Sequence, residues 1–132
     1  MFGFYNVKSV LAVISDPTAD STPCIWYVPS RCNEVTFLEA WAECDTTVTL
    51  GAGTGIALTL LDFGTAGTAN LGTLTSVLGG TAVTWSKNTP KAFTLVSAPQ
   101  MSGGRYLKVK YDETGTIAPL NITIGWNWVN GK

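Results

Sequence analysis

The stretch that decides the fold is Leu120-Asn121-Ile122-Thr123-Ile124-Gly125-Trp126-Asn127-Trp128-Val129, near the end of the chain. Its large apolar residues alternate with polar or small ones almost to the end of the stretch. Successive side chains of a β-strand point to opposite faces of a sheet, so this segment has one apolar and one polar face. Such alternation is typical of an antiparallel strand that lies on a core. We therefore predict a strand here, with Trp126 and Trp128 in the core or in a subunit interface.

Short runs of similar composition recur along the chain and are separated by turn residues. Glycine, proline, asparagine and aspartate interrupt the sequence at intervals of about a dozen residues. The predicted strands cover residues 5–14, 24–28, 34–44, 56–63, 71–78, 82–86, 91–97, 104–112 and 120–129. Regularly spaced short strands predict an all-β protein, an antiparallel β-sandwich of eight or nine short strands. We expect one domain over residues 1–132, with residues 1–4 as a possible extended arm.

The segment 34–44 is the one place where a helix competes with a strand. Apolar residues occur at both parities, so neither period fits well. We favour a strand whose inward face carries Leu38, Ala40 and Ala42, with a short helix as the alternative.

Two further strands carry specific predictions. In the strand near 104–112, alternation places Leu107, Val109 and Tyr111 inward and the lysines Lys108 and Lys110 outward. Lysines on an outward face often guard a sheet edge against association.

The strand at 56–63 is apolar on both faces. We expect the second sheet to cover one face and a neighbouring subunit the other.

Composition argues against several classes of function. The net charge is −1 and only 13% of residues are charged, so the electrostatic signature of a nucleic-acid-binding protein is missing. The chain contains no histidine, which removes the Ser-His-Asp and Cys-His arrangements and most zinc sites. We predict no nucleic-acid partner, no metal and no cofactor.

The paired carboxylates Glu39 and Glu43 flank Trp41 in a combination that resembles a sugar site. Residues four apart on a strand are about 13 Å apart. Glycoside hydrolysis needs carboxyl groups roughly 5–9.5 Å apart. We therefore predict that the protein is not an enzyme.

The three cysteines, Cys24, Cys32 and Cys44, are an odd number and follow no signal peptide. We favour reduced thiols, and a Cys24–Cys32 disulfide across a turn stays an alternative. The run from Val10 to Ile14 is too short to span a bilayer, so we expect no membrane association and synthesis in a cytoplasm.

Aromatic residues supply the candidate contacts with a partner. Trp41 and Trp85 are the tryptophans that we expect to be exposed, and sugar stacking is one possible use of such rings. The N-terminal Phe2, Phe4 and Tyr5 form either an interaction arm or a cover for the chain's own core.

Four segments carry a resemblance to a known class of proteins: Ile25–Pro29, Leu60–Ala69, Met101–Tyr111 and Leu120–Trp126. In style they resemble the small jelly-roll capsid decoration (cement) proteins of tailed-phage virions. Similar sandwiches occur in tail-fibre and receptor-binding proteins and in carbohydrate-binding modules, which are the alternative.

The resemblance implies a non-enzymatic structural protein with a jelly-roll-like fold. Such a protein would be made in the host cytoplasm and would lie on the capsid surface of the virion. Its partner would be the major capsid protein, whose neighbouring copies it would hold together. The resemblance also implies a homo-oligomer, with a trimer favoured. Affinity would come from buried apolar and aromatic area repeated over many sites.

Overall fold

The computed structural model describes residues 7–17, 20–97 and 99–130, and within these ranges the regular structure consists of β-strands alone. Ten strands follow one another along the chain: β1 (Lys8–Ser15), β2 (Cys24–Tyr27), β3 (Glu34–Cys44), β4 (Gly55–Asp62), β5 (Gly72–Thr73), β6 (Leu78–Thr81), β7 (Lys91–Ala92), β8 (Gln100–Ser102), β9 (Tyr106–Thr114) and β10 (Asn121–Asn130). The all-β prediction is confirmed, and the segment 34–44 is a strand.

The strands form two antiparallel sheets with nested pairing. The first sheet has the order β1-β10-β3-β7, with β8 also on β3, and the second has the order β2-β9-β4-β5, with β6 also on β4. The first strand therefore pairs with the last, the second with the ninth, and the third with the eighth. This is a long antiparallel hairpin folded over itself into two sheets. The arrangement confirms a jelly-roll-like β-sandwich.

The core lies between the two sheets and uses the alternation described above. On β10 the side chains of Ile122, Ile124 and Trp126 are fully buried. On β9 the predicted inward residues Leu107, Val109 and Tyr111 are also fully buried. Fully burying an aliphatic side chain of this size contributes roughly 1.5–3 kcal/mol. The inward faces of both strands are therefore confirmed.

An aromatic cluster joins the two sheets at one end of the core. Trp26 on β2 lies with its ring centroid 5.5 Å from that of Trp126 and 5.2 Å from that of Trp128, both on β10. It also meets Phe37 of β3 edge-on at 6.1 Å. Tilted and edge-on contacts at these distances are favourable for aromatic rings. Trp26, Trp126 and Trp128 are therefore packing residues.

A β-bulge at Leu38 corrects the predicted inward face of β3. Asn127 is opposite Glu39 and Trp128 is opposite Phe37, so Leu38 is an extra residue without a partner on β10. The extra residue reverses the parity of the strand. Phe37, Ala40 and Ala42 are buried, whereas Leu38 is 48% exposed. The prediction was right for both alanines and wrong for Leu38, because simple alternation does not anticipate a bulge.

The segment from 71 to 97 contains less strand than predicted. Regular pairing is confined to β5, β6 and β7, and the predicted strand at 82–86 forms only an isolated bridge between Val48 and Trp85. Ala82, directly after β6, has a positive φ angle of 63°. A residue with a side chain in the left-handed region does not continue an extended strand. The structure thus replaces one predicted strand with a turn.

The central strands of the second sheet refine two other predictions. On β4 the outward residues Thr59 and Leu61 are buried as well as the inward ones, so the expected two-sided burial occurs within a single chain and requires no neighbouring subunit. Strand β9 lies between β2 and β4. The sequence had suggested that Lys108 and Lys110 guard a sheet edge. This was wrong, because β9 is an interior strand.

Candidate interaction surface

The outer face of the first sheet carries an apolar surface that is open to solvent. One register row crosses four strands, since Leu11 is opposite Gly125, Gly125 is opposite Trp41, and Trp41 is opposite Ala92. Val13 extends the surface along β1, and it is 61% exposed while Leu11 is 65% exposed. We use the name Trp41 surface for the half-buried Trp41 together with the exposed residues Leu11, Val13, Pro90 and Ala92.

Gly125 gives the Trp41 ring its place on this surface. A Cβ atom at position 125 would lie 2.3 Å from Cζ2 and 2.4 Å from Cε2 of Trp41, and 2.8 Å from Leu11 Cδ2. Real Cβ atoms do not come so close to other heavy atoms. The absence of a side chain at Gly125 therefore lets the indole lie against β10, beside Leu11. Trp41 is half-buried in this position.

A polar row runs beside the apolar one. Ser9 Oγ donates a hydrogen bond of 2.5 Å to Asn127 Oδ1. Asn127 Nδ2 in turn donates to Glu39 Oε1. These bonds connect β1, β10 and β3, and they fix the Glu39 carboxylate at the border of the apolar surface.

Trp41 also forms one wall of an open groove of about 340 Å³, together with Glu39, Pro90 and Ala92. The lining combines one aromatic ring and two small apolar residues with a single carboxylate. Such a groove suits a contact that is mainly apolar. Among the described residues, no group of three or more acidic or cysteine side chains is placed to bind a metal ion.

The structure brings together only part of the predicted contact set. Trp41 lies on the outer face of the first sheet, but its side chain is half-buried and not exposed as expected. Trp85 was predicted to be exposed, and this was wrong, because its side chain is fully buried in the core. Phe2, Phe4 and Tyr5 lie outside the described residues. Whether any of the five contacts a partner stays a prediction.

Sequence reasoning missed Leu11 and Val13. The available signal was the run Val10-Leu11-Ala12-Val13-Ile14, in which both parities are apolar. An antiparallel strand with one solvated face should alternate, so apolar residues at both parities indicate a strand with two faces to cover. The run was predicted as part of the strand at 5–14 and as too short for a membrane span, but no partner contact was predicted for its outward residues. Among the described residues, no helix is long and apolar enough to cross a membrane.

The three cysteine thiols differ in their burial. All three cysteines are unpaired, with Cys24 exposed, Cys32 half-buried and Cys44 buried. Burial raises the pKa of the Cys44 thiol to about 12, and the neighbouring charges of Asp45 and Glu43 add to the effect. Burial also raises the pKa of Tyr111, and the hydrogen bond that it donates to Glu113 acts in the same direction.

The raised pKa values of Cys44 and Tyr111 predict that the free energy of unfolding decreases at alkaline pH. The pKa values of Cys44 and Tyr111 are raised in the folded state, so the unfolded chain loses these protons first as pH rises. Stability is then complete below about pH 9 and falls above it, through the window between the ordinary and the raised pKa values. We expect the urea midpoint to drop above pH 9 in the wild type and less in Cys44→Ala. An identical drop in the variant would contradict the assignment to Cys44.

Comparison with solved structures finds one chain of similar fold and several weaker matches. A chain of the cyanophage Pam1 capsid asymmetric unit matches with a TM-score of 0.53 and 16% identity, over 98% of this chain and 89% of that chain. A chain of turnip yellow mosaic virus matches with a TM-score of 0.46 and 8% identity, over 95% and 91%. A protein of the disulfide-linked pili of Bacillus endospore appendages matches with a TM-score of 0.40 and 12% identity, over 96% and 91%. At these identities the likeness concerns the fold. No protein family and no curated protein matches the sequence.

Proposed function

We propose that the protein is a non-enzymatic structural protein of a phage virion, of the capsid decoration or cement type. It would bind the outer shell and stabilise contacts between major capsid proteins. The observation that carries the proposal is the likeness to the cyanophage capsid chain, which extends over nearly the whole of both chains. That chain is therefore only slightly longer than this one, and one jelly-roll sandwich accounts for almost all of it.

The surface chemistry supports the same proposal. The Trp41 surface is apolar, lies on strands and carries one fixed carboxylate at its border. Rigid strands lose little conformational entropy when they bind, and an aromatic residue in an apolar patch is a typical binding anchor. A weak contact of this kind would gain strength by repetition over many equivalent sites on a shell. The resemblance implies a trimer, and the pairing of β1 proposed below predicts a dimer instead.

One observation favours sugar binding as a second candidate. The Trp41 ring lies against the sheet beside the Glu39 carboxylate and an open groove. An aromatic ring with an adjacent hydrogen-bonding group is a common arrangement for stacking a sugar. Titration with oligosaccharides would then quench the fluorescence of the wild type and leave that of Trp41→Phe unchanged.

The decoration proposal is tested by co-sedimentation with shells assembled from the major capsid protein of the same genome. We expect saturable binding at a fixed ratio and a higher temperature of shell disruption when the protein is bound. Absence of saturable binding would overturn the proposal, and binding of a glycan alone would favour the second candidate.

Two matched variants test the role of the Trp41 surface in that assay. Trp41→Ser removes the anchor, and we expect at least tenfold weaker shell binding, since anchors of this kind contribute about 2 kcal/mol or more. Val77→Ser removes an exposed apolar side chain from a loop outside this surface, and we expect no change. Equal binding by both variants would move the contact away from Trp41.

A further inference from the structure

The sequence of β1 is nearly symmetric about Ala12. Positions at equal distances from Ala12 carry residues of the same kind, namely Leu11 and Val13, Val10 and Ile14, and Ser9 and Ser15. Asp16, directly after the strand, has a φ angle of +42°, so the extended strand ends at Ser15. A strand with this symmetry can pair with an identical antiparallel strand so that like residues meet.

Strand β1 is also an edge without the usual protection. Among the described residues it pairs only with β10, so half of its backbone N–H and C=O groups point away from the sheet. Natural edge strands are commonly protected by lysine, proline or a bulge. Residues 9–14 contain neither charge nor proline, and the ladder with β10 runs from Lys8 to Ser15 without a bulge.

Both faces of β1 carry apolar side chains that are partly or largely exposed to solvent. On the outer face Leu11 and Val13 are exposed. On the inner face Val10 and Ala12 are only partly buried, since β2 at the corresponding edge of the second sheet has just four residues. An uncharged apolar edge of this kind is a ready template for another strand.

We propose that β1 pairs antiparallel with β1 of a second copy, about a two-fold axis through Ala12. The occupant of the edge is then an identical chain, and the two first sheets become one continuous sheet. Directly opposite residues of antiparallel strands lie on the same face. With Ala12 on the axis, Leu11 faces Val13 of the second copy on the outer side, and Val10 faces Ile14 on the inner side.

Side-chain matching selects this register over its neighbours. With Ala12 on the axis, apolar residues are opposite apolar residues, and Ser9 is opposite Ser15 of the second copy. Only a shift by two residues keeps both faces matched, and such a shift puts Lys8 opposite Ile14 in one direction and Leu11 opposite Ser15 in the other. The apolar pairs are then broken, so the sequence favours a single register. This inference does not depend on the proposed function.

The mass of the protein in solution is the first test. We expect sedimentation analysis across a concentration series to approach twice the 14.0 kDa of one chain. Val13→Lys puts a charge into the pairing, and we expect a monomer. Val77→Lys makes the same change at a residue of equal exposure outside β1, and we expect the wild-type mass. Thermal unfolding of each variant verifies that it is folded.

Three results would overturn the proposal. The first is a monomer at every concentration, and the second is a trimer or a dimer whose mass Val13→Lys leaves unchanged. The third is a monomer that begins to associate when residues 1–6 are deleted, because that segment would then be the occupant of the edge.

Cross-linking tests the register itself. In a Cys24→Ser background, a mixture of Leu11→Cys and Val13→Cys chains should form a disulfide-linked dimer on oxidation, whereas neither chain alone should. Opposite Cα atoms are about 4.5–5.5 Å apart, within disulfide reach. Cross-linking of Leu11→Cys with itself would contradict this register.

Discussion

Replacement of Trp126 by alanine is expected to lower the free energy of unfolding by about 3–5 kcal/mol, the usual cost of removing a large buried aromatic side chain. Trp126 is fully buried on β10 and contacts Trp26 of the other sheet. The alanine variant would lose that contact between the sheets and leave a cavity. A domain of this size has about 5–15 kcal/mol of stability in total, so much of it would be lost. Urea unfolding followed by circular dichroism measures the change.

Two matched variants separate packing from polarity at this position. The indole Nε1 of Trp126 has no hydrogen-bond partner among the described residues. Trp126→Phe therefore keeps most of the ring and removes a buried, unsatisfied donor, and we expect a loss of only about 1 kcal/mol. Leu38→Ala, at the exposed bulge, should change stability by less than about 1 kcal/mol. A phenylalanine variant as unstable as the alanine variant would show that the shape of the indole matters more than its bulk.

Replacement of Gly79 by alanine is the second change with a large expected effect, about 2–6 kcal/mol of destabilisation. Gly79 has a φ angle of +89°, in a region that side-chain-bearing residues rarely adopt. A Cβ atom there would lie 2.3 Å from the carbonyl oxygen of Ile56 and 3.1 Å from Cζ2 of Trp85. The oxygen belongs to the central strand β4 and cannot move away easily. Thermal and urea unfolding would show the loss.

The neighbouring glycines provide controls for the two causes. Gly80 also has a positive φ angle, but a Cβ atom there would meet nothing within 4 Å. Gly80→Ala therefore reports the conformational strain alone, about 1–3 kcal/mol. Gly72→Ala adds a methyl group in open space, and we expect a change within about 0.5 kcal/mol. Equal losses at Gly79 and Gly80 would mean that the clash with Ile56 contributes nothing.

The two glycines at tight contacts explain why the candidate surface could be predicted only in part. Gly79 makes room for the Trp85 ring, so this tryptophan is buried although its local sequence is polar. Gly125 makes room for the Trp41 ring on the outer face, so this tryptophan stays half-exposed. Gly125 is distant from Trp41 in the chain, whereas Gly79 lies only six residues before Trp85 and approaches its ring across the turn at Ala82. Composition and alternation around the tryptophan itself contain no such information.

The bulge at Leu38 also depends on a contact between segments that are far apart in the sequence, β3 and β10. Its presence depends on how β3 aligns with β10, because Phe37 and Glu39 both find partners there and Leu38 does not. The alternation of a single strand predicts its two faces only while the register is unbroken. The parity of the N-terminal part of β3 was therefore assigned to the wrong face, whereas β9 and β10 were assigned correctly at the inward positions quoted above.

The sequence alone determined the class of the fold, because the period of two in β9 and β10 depends only on local side-chain order. It also determined the symmetry of β1 about Ala12, which can be read without coordinates. Only the tertiary structure decided that β1 is an edge, that Trp41 is half-buried on the outer face while Trp85 is fully buried, and that Leu11, Val13 and Trp41 share one face. These properties depend on which distant strands are neighbours. That choice follows from the joint burial of two whole sheets, a quantity that no short segment contains.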